Sequence, residues 1–132
     1  SLALADSIAR SFPDDEVRSR CWFIKGVYYN LAKQYDTARL WLDKALEINY
    51  NFAEALMEKG YGFYDAGRYA EALKTFETLT QLNKKYADAY YWLAKCKEQL
   101  GQPTEAATAY ETAFALDSSI TEAQEAVQRL TK

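Results

Sequence analysis

Few residues in this chain could do covalent or metal chemistry. Its 132 residues contain no His, which removes the commonest general base and the commonest metal ligand together. Catalysis would then fall to carboxylates, Tyr or Lys. Cys21 and Cys96 stand 75 positions apart, a separation that fits neither metal-ligand nor C-x-x-C redox spacing, so both read as small core residues. Asp14, Asp15 and Glu16 sit where a helix should begin, and acids there suit the positive end of the helix dipole. Glu54 and Glu58 share a helix face, yet without His, a metal-like cluster or a strained turn they read as a solvated edge. No glycine-rich loop is available to cradle phosphate. The pattern predicts recognition without catalysis, cofactor or metal.

Elements that could present a recognition surface must fit a short chain, since 132 residues leave room for one compact core. Hydrophobic residues at 49% and charged residues at 27% are values of a folding sequence. Only 5 Gly and 2 Pro occur, too few turn residues for a β-sandwich, so long helices are expected. Sixteen Lys and Arg against nineteen Asp and Glu leave a net charge of −3, which offers no field to attract nucleic acid. No apolar run is long enough to insert in a membrane, and no secretory leader pattern opens the chain. Cytoplasm and periplasm both remain open.

Rows of 34 residues beginning at Ser19 align without insertion and end at Ile120. Column four then holds Trp22, Leu56 and Tyr90; column eight holds Gly26, Gly60 and Ala94; column eleven holds Tyr29, Phe63 and Lys97. Column twenty is Ala38, Ala72 and Ala106, and column twenty-four is Leu42, Phe76 and Tyr110. Between these sets lie the turn sequences beginning at Lys33, Gly67 and Gly101, where Gly supplies the left-handed geometry that ends a helix. Each row reads as two helices and a turn. The small residue at column eight should let the first helix approach column twenty closely, with the large residues packed around that contact.

With W-x2-L-G-x2-Y followed by A-x3-F in a 34-residue period as its signature, the tetratricopeptide repeat family is the one this chain resembles. Trp22-x2-Lys25-Gly26-x2-Tyr29 and Ala38-x3-Leu42 carry the match in the first row, and the other rows repeat it in register. The closing Pro is replaced by Tyr50, Lys84 and Ser118, and Pro103 stands where Tyr35 and Tyr69 stand in the other rows. The resemblance implies an all-α fold, an α-solenoid of antiparallel helix hairpins in a right-handed superhelix of about eight helices. A single domain over 1–132 would comprise a half-repeat helix at 2–12, full repeats at 19–52, 53–86 and 87–120, and a capping helix at 121–131. Half a hairpin at the start suggests a piece of a longer protein, and the step from Pro13 to Trp22 runs three residues long.

In such folds columns two, five, nine and twelve of the first helices line a concave groove. The partner-binding residues this implies are Arg20, Phe23, Val27, Met57, Tyr61, Tyr64, Tyr91 and Lys95. Aromatic and apolar residues turned to an open groove suit the capture of an extended or helical segment of a partner protein. Acids at Glu54, Glu58, Asp65, Asp88 and Glu98 should make that partner apolar with basic flanks. The carboxylate clamp of the family's chaperone-binding branch is missing, since Phe23, Val27, Glu58, Asp88 and Trp92 occupy its positions. A secondary surface is expected at Leu40 and Trp41, which should face outward. It carries the alternative function, a structural segment of a longer solenoid that mediates self-association or assembly.

Overall fold

The computed structural model describes residues 2–11 and 14–132, with the backbone alone over 7–11. Phe12 and Pro13, the expected end of the first helix and the turn after it, lie outside the described residues, as do the side chains of Ile8 and Ala9. Eight helices and no strand occur among the described residues: α1 (Leu2–Ser11), α2 (Asp15–Leu31), α3 (Tyr35–Ile48), α4 (Ala53–Asp65), α5 (Tyr69–Leu82), α6 (Ala87–Gln99), α7 (Pro103–Leu116) and α8 (Thr121–Leu130). The second helices start at Tyr35, Tyr69 and Pro103 and the later first helices at Ala53, Ala87 and Thr121, in step with the sequence period. Pro103 opens α7, where its missing N–H has no intrahelical partner to lose.

The three surplus residues before the first row lengthen α2 at its start. Asp14 caps that start, its carboxylate accepting from the Glu16 and Val17 amides at 2.9 and 3.2 Å. Within the first and third rows the hairpin turn has one geometry: Lys33 and Gly101 donate to the carbonyls of Asn30 and Glu98, and Gln34 and Gln102 donate to those of Tyr29 and Lys97. The turn needs a left-handed residue, and Lys33, Gly67 and Gly101 have φ of 62°, 79° and 76°. Lys33 therefore carries the strain that glycine avoids in the other rows. Between rows, Phe52, Tyr86 and Ile120 donate to the carbonyls of Asn49, Asn83 and Asp117.

The chain divides into two compact units at Gly67, in the turn of the second row. In the first, α2 pairs with α3, α1 packs on α2, and α4 packs on both α2 and α3. Leu42, Ala45, Phe52 and Ala55 form its central cluster, with Trp22, Phe23 and Leu46 packed around it. Gly26 permits the α2–α3 approach, since a Cβ there would overlap the Leu42 side chain and lie 3.4 Å from the Ala38 carbonyl oxygen. Ser19, 1% exposed, donates to the Ala45 carbonyl at 3.1 Å, so the buried hydroxyl is satisfied. An ion pair also repeats with the period. Lys25 meets Asp6 of α1 and Lys59 meets Asp43 of α3, both at 2.8 Å. Asp6 precedes Asp43 by one row plus the three surplus residues, so α1 takes toward α2 the place α3 takes toward α4.

In the second unit α6 pairs with α7, and α5 and α8 pack on α6 and α7 respectively. Its core holds Phe76, Leu79, Ala94, Cys96, Ala106 and Ala113, all 1% exposed or less. Phe76 stacks on Trp92 with ring centroids 6.3 Å apart.

Two substitutions test this description in opposite directions. Gly26→Ala should cost about 1–3 kcal/mol, because Leu42 has no room to withdraw from a packed core. Lys33→Gly should add roughly 0.5–1 kcal/mol by removing left-handed strain. Urea unfolding followed by circular dichroism reads both. A Gly26→Ala protein as stable as the parent would mean that the hairpin spacing is slack.

Candidate binding faces on the first helices

In the first unit the relevant side chains rise from α2 and α4. Arg20 is exposed, pairs with Glu16 at 3.7 Å and holds its guanidinium 5.6 Å from the centre of the Phe52 ring. Phe23 is half-buried against Phe52, with ring centroids 5.0 Å apart. Val27, Tyr61 and Tyr64 are half-buried. Met57 was expected on this face, but it is 4% exposed, because α4 is covered by both α2 and α3 and this position is taken into the core. A polar contact joins the two helices where the column-twelve Asn30 amide donates to the Glu58 carbonyl at 2.9 Å and to its carboxylate at 3.1 Å. Gly62 leaves space for that amide, since a Cβ there would come 2.8 Å from Asn30 Oδ1. Glu58, counted among the rim acids, is thus engaged inside the fold.

The second unit holds a defined cavity of about 390 Å³ between α6 and α8, floored by Tyr110 of α7. Tyr91, Lys95 and Glu98 line it from α6, and Glu122, Glu125, Ala126 and Arg129 from α8. The α8 residues escaped the sequence reading because that helix was read only as a cap. Counting columns into a fourth row would have found them, since Glu122, Glu125 and Arg129 fall at columns two, five and nine. Arg129 grips Glu98 with two hydrogen bonds of 2.9 Å, and the Tyr110 hydroxyl donates to the same carboxylate. The Arg129 hydrogen bonds hold the Glu98 carboxyl below its ordinary range, against the opposing effect of burial. Burial, reinforced by Glu98, raises the Tyr110 phenol, which stays a donor. Lys95 lies 4.5 Å from the centre of the Trp92 ring and 5.6 Å from that of Tyr91. Tyr91 meets Tyr110 edge-on at 5.6 Å.

The secondary surface is changed by the structure. Leu40 is 65% exposed, as expected. Trp41 is half-buried, with the Lys25 and Lys44 ammonium groups 3.7 and 4.8 Å from its ring centre. Asp6 of α1 fixes Lys25 there, so the ring that should have faced outward is covered by cations. Cys21 and Cys96 are buried and form no disulfide. Burial pushes the Cys96 thiol up to about 12, which keeps it protonated and unreactive. Among the described residues no group of three or more His, Cys, Asp or Glu could hold a metal ion. No described helix is long and apolar enough to cross a membrane.

Two family models, each described as tetratricopeptide repeat, match residues 19–52 and 57–120. The chain belongs to the tetratricopeptide repeat family. Among curated proteins it is 36% identical over 83 residues to Protein SGT1 homolog of Bos taurus, a match covering 62% of this chain and 25% of that protein. It spans a quarter or less of the length of the curated relatives it matches. Among solved structures it resembles the Arabidopsis OM64 TPR domain, with a TM-score of 0.81 and 22% identity over 89% of this chain and 97% of that one. The first TPR of Spaghetti (RPAP3), bound to the HSP90 peptide SRMEEVD, gives a TM-score of 0.82 and 19% identity over 88% and 92% of the two chains. These likenesses confirm the all-α hairpin fold.

The Glu98 cluster predicts a pH effect with a definite sign. A carboxyl held low in the folded state stabilises above its unfolded pKa of about 4.3, and that contribution disappears as pH falls through the folded value. Glu98→Gln should therefore melt below the parent at pH 7, and the two should converge in strong acid. A constant gap across that range would show that the ion pair contributes nothing.

Proposed function

We propose that this chain is a protein-interaction module that holds an extended or helical segment of a partner protein against the outward faces of its first helices. The observation that carries this reading is the cavity of about 390 Å³ on the second unit, walled by Tyr91 and Tyr110 and edged by charge. Aromatic walls give large contact area at low entropic cost, and such concavities exclude water from what enters them. Half-buried Phe23, Val27, Tyr61 and Tyr64 present the same residue classes on the first unit, with Arg20 as a polar contact there and Lys95 as one on the second unit. The RPAP3 domain's HSP90 peptide supports peptide capture as a mode of action for this fold. Its partner chemistry does not transfer, because Phe23, Val27, Glu58, Asp88 and Trp92 place no cations where a carboxylate clamp needs them.

The preferred partner is apolar with basic flanks. Arg129 neutralises Glu98 and Asn30 engages Glu58, which leaves Glu54 and Asp65 on the first unit and Asp88, Glu122 and Glu125 on the second as the acids of these faces exposed to solvent. Acids at a rim act mainly on encounter rate and specificity, so added salt should slow association more than it speeds release. A peptide array should enrich sequences with Lys or Arg beside apolar residues. Replacing Tyr61 and Tyr91 together by Ala should weaken capture of such a peptide by tenfold or more, on the order of 1.4 kcal/mol, while far-UV circular dichroism stays unchanged. Enrichment of acidic peptides, or binding indifferent to both tyrosines, would refute the assignment.

A further inference from the structure

A second cavity, of about 340 Å³, lies between α6 and α7 and shares no lining residue with the one at Tyr91. Tyr90 and Leu93 wall it from α6, and Ala109 and Thr112 from α7. In the repeat these are columns four, seven, twenty-three and twenty-six. The first hairpin shows what that place holds when it is filled. There column twenty-three is Trp41, and the groups beside its ring come from the same columns. Lys25 of column seven lies 3.7 Å from the ring centre and Lys44 of column twenty-six 4.8 Å. Lys44 also lies 5.8 Å from the centre of the Trp22 ring, at column four. The third hairpin has walls at these columns too, but buried Ala109 stands where the first has its indole.

We propose that this cavity receives the indole ring of a tryptophan carried by a partner protein, in the place that Trp41 takes in the first hairpin. Its polar groups suit that ring. The Thr108 and Thr112 hydroxyls, both at the cavity, donate along the helix to the carbonyls of Thr104 and Thr108 at 3.3 and 3.1 Å. Their oxygens are left to accept, and the indole N–H is a group that only donates. Lys97, held by Glu105 at 3.0 Å, sets a cation in the wall, as Lys25 and Lys44 do beside Trp41. Ligand pockets run from roughly 300 to 1,000 Å³, so a cavity at the low end of that range has room for one such side chain and none for a helix. Tryptophan is among the side chains enriched as anchors in such pockets. That the ring arrives on a protein chain rests on the reading of this chain as an interaction module; the fit of the ring does not.

Chemical-shift mapping with end-capped glycyl-tryptophanyl-glycine, titrated to about 10 mM, tests this. Shifts at Leu93, Ala109 and Thr112 should saturate with a dissociation constant on the order of 1 mM. The phenylalanine analogue should bind about threefold more weakly for want of the N–H. Ala109→Trp, which restores the residue of the first row, should fill the cavity, abolish those shifts and raise the thermal midpoint. Thr108→Glu, at an exposed position, should weaken the probe about fivefold by setting a carboxylate against the ring face, and it decides alone if Ala109→Trp does not fold. Thr108→Glu should still bind a tryptophan-free, Lys-flanked apolar peptide as the parent does, so this proposal and the first-helix reading fail separately. The absence of saturable shifts at these residues, equal binding of the phenylalanine analogue, or shifts undiminished in Thr108→Glu overturns the proposal. Free indole binding where the tripeptide does not overturns it as well and assigns the cavity to a small molecule.

Discussion

The close approach of α2 and α3 at Gly26 is the constraint on which the first unit depends. Leu42 fills the space a Cβ would take, and once that distance is set, the column-four and column-twenty-four residues can meet around it. A helix has one circumference to allot. In α2 one side is used for α3 at Gly26, one for α1 at Lys25, one for α4 at Asn30, and what remains faces outward. The outward columns are therefore a residue of packing, and function can vary there without disturbing the hairpin. The second unit reaches the same end with Ala94, 0% exposed, in the place of Gly26.

Much of this was legible because the period is strict. A 34-residue step fixes which side chains repeat, and size at columns four, eight, twenty and twenty-four is what helix contacts select. The helix starts follow the same step in the structure. What the period hid were local exceptions. Lys33 performs a glycine's task in the left-handed region, at a cost a column of letters does not display. The three surplus residues became an extra turn of α2 because Asp14 could cap it. Met57 has the character of a groove residue, and only the presence of two neighbouring helices shows that it is buried. Trp41 looked outward until Asp6, from a helix far away in sequence, placed Lys25 upon its ring.

The charges follow a similar logic. A net charge of −3 conceals pairs that act in different places. The Asp6–Lys25 and Asp43–Lys59 pairs repeat with the row and tie a second helix to the first helix that follows it. In the third row Leu93 stands at the column of Lys25 and Lys59, so that row lacks the cation of this pair. The Arg129–Glu98–Tyr110 cluster instead ties α8 to α6 and α7. It makes the terminal helix one wall of the cavity and leaves Glu122 and Glu125 as that wall's acids without hydrogen bonds or ion pairs among the described residues. A helix that closes the core thereby also supplies the chemistry at its edge.

The central claim is that partners are met on the first-helix faces, and amide chemical-shift mapping tests it residue by residue. A protein of 15.1 kDa is well suited to that measurement. Titration with a peptide of apolar residues flanked by Lys should move the amides of Tyr61, Tyr64, Tyr91, Lys95 and Arg129. Shifts confined instead to α3, α5 and α7, around Leu40, Lys74 and Thr108, would contradict the account and place recognition on the second helices.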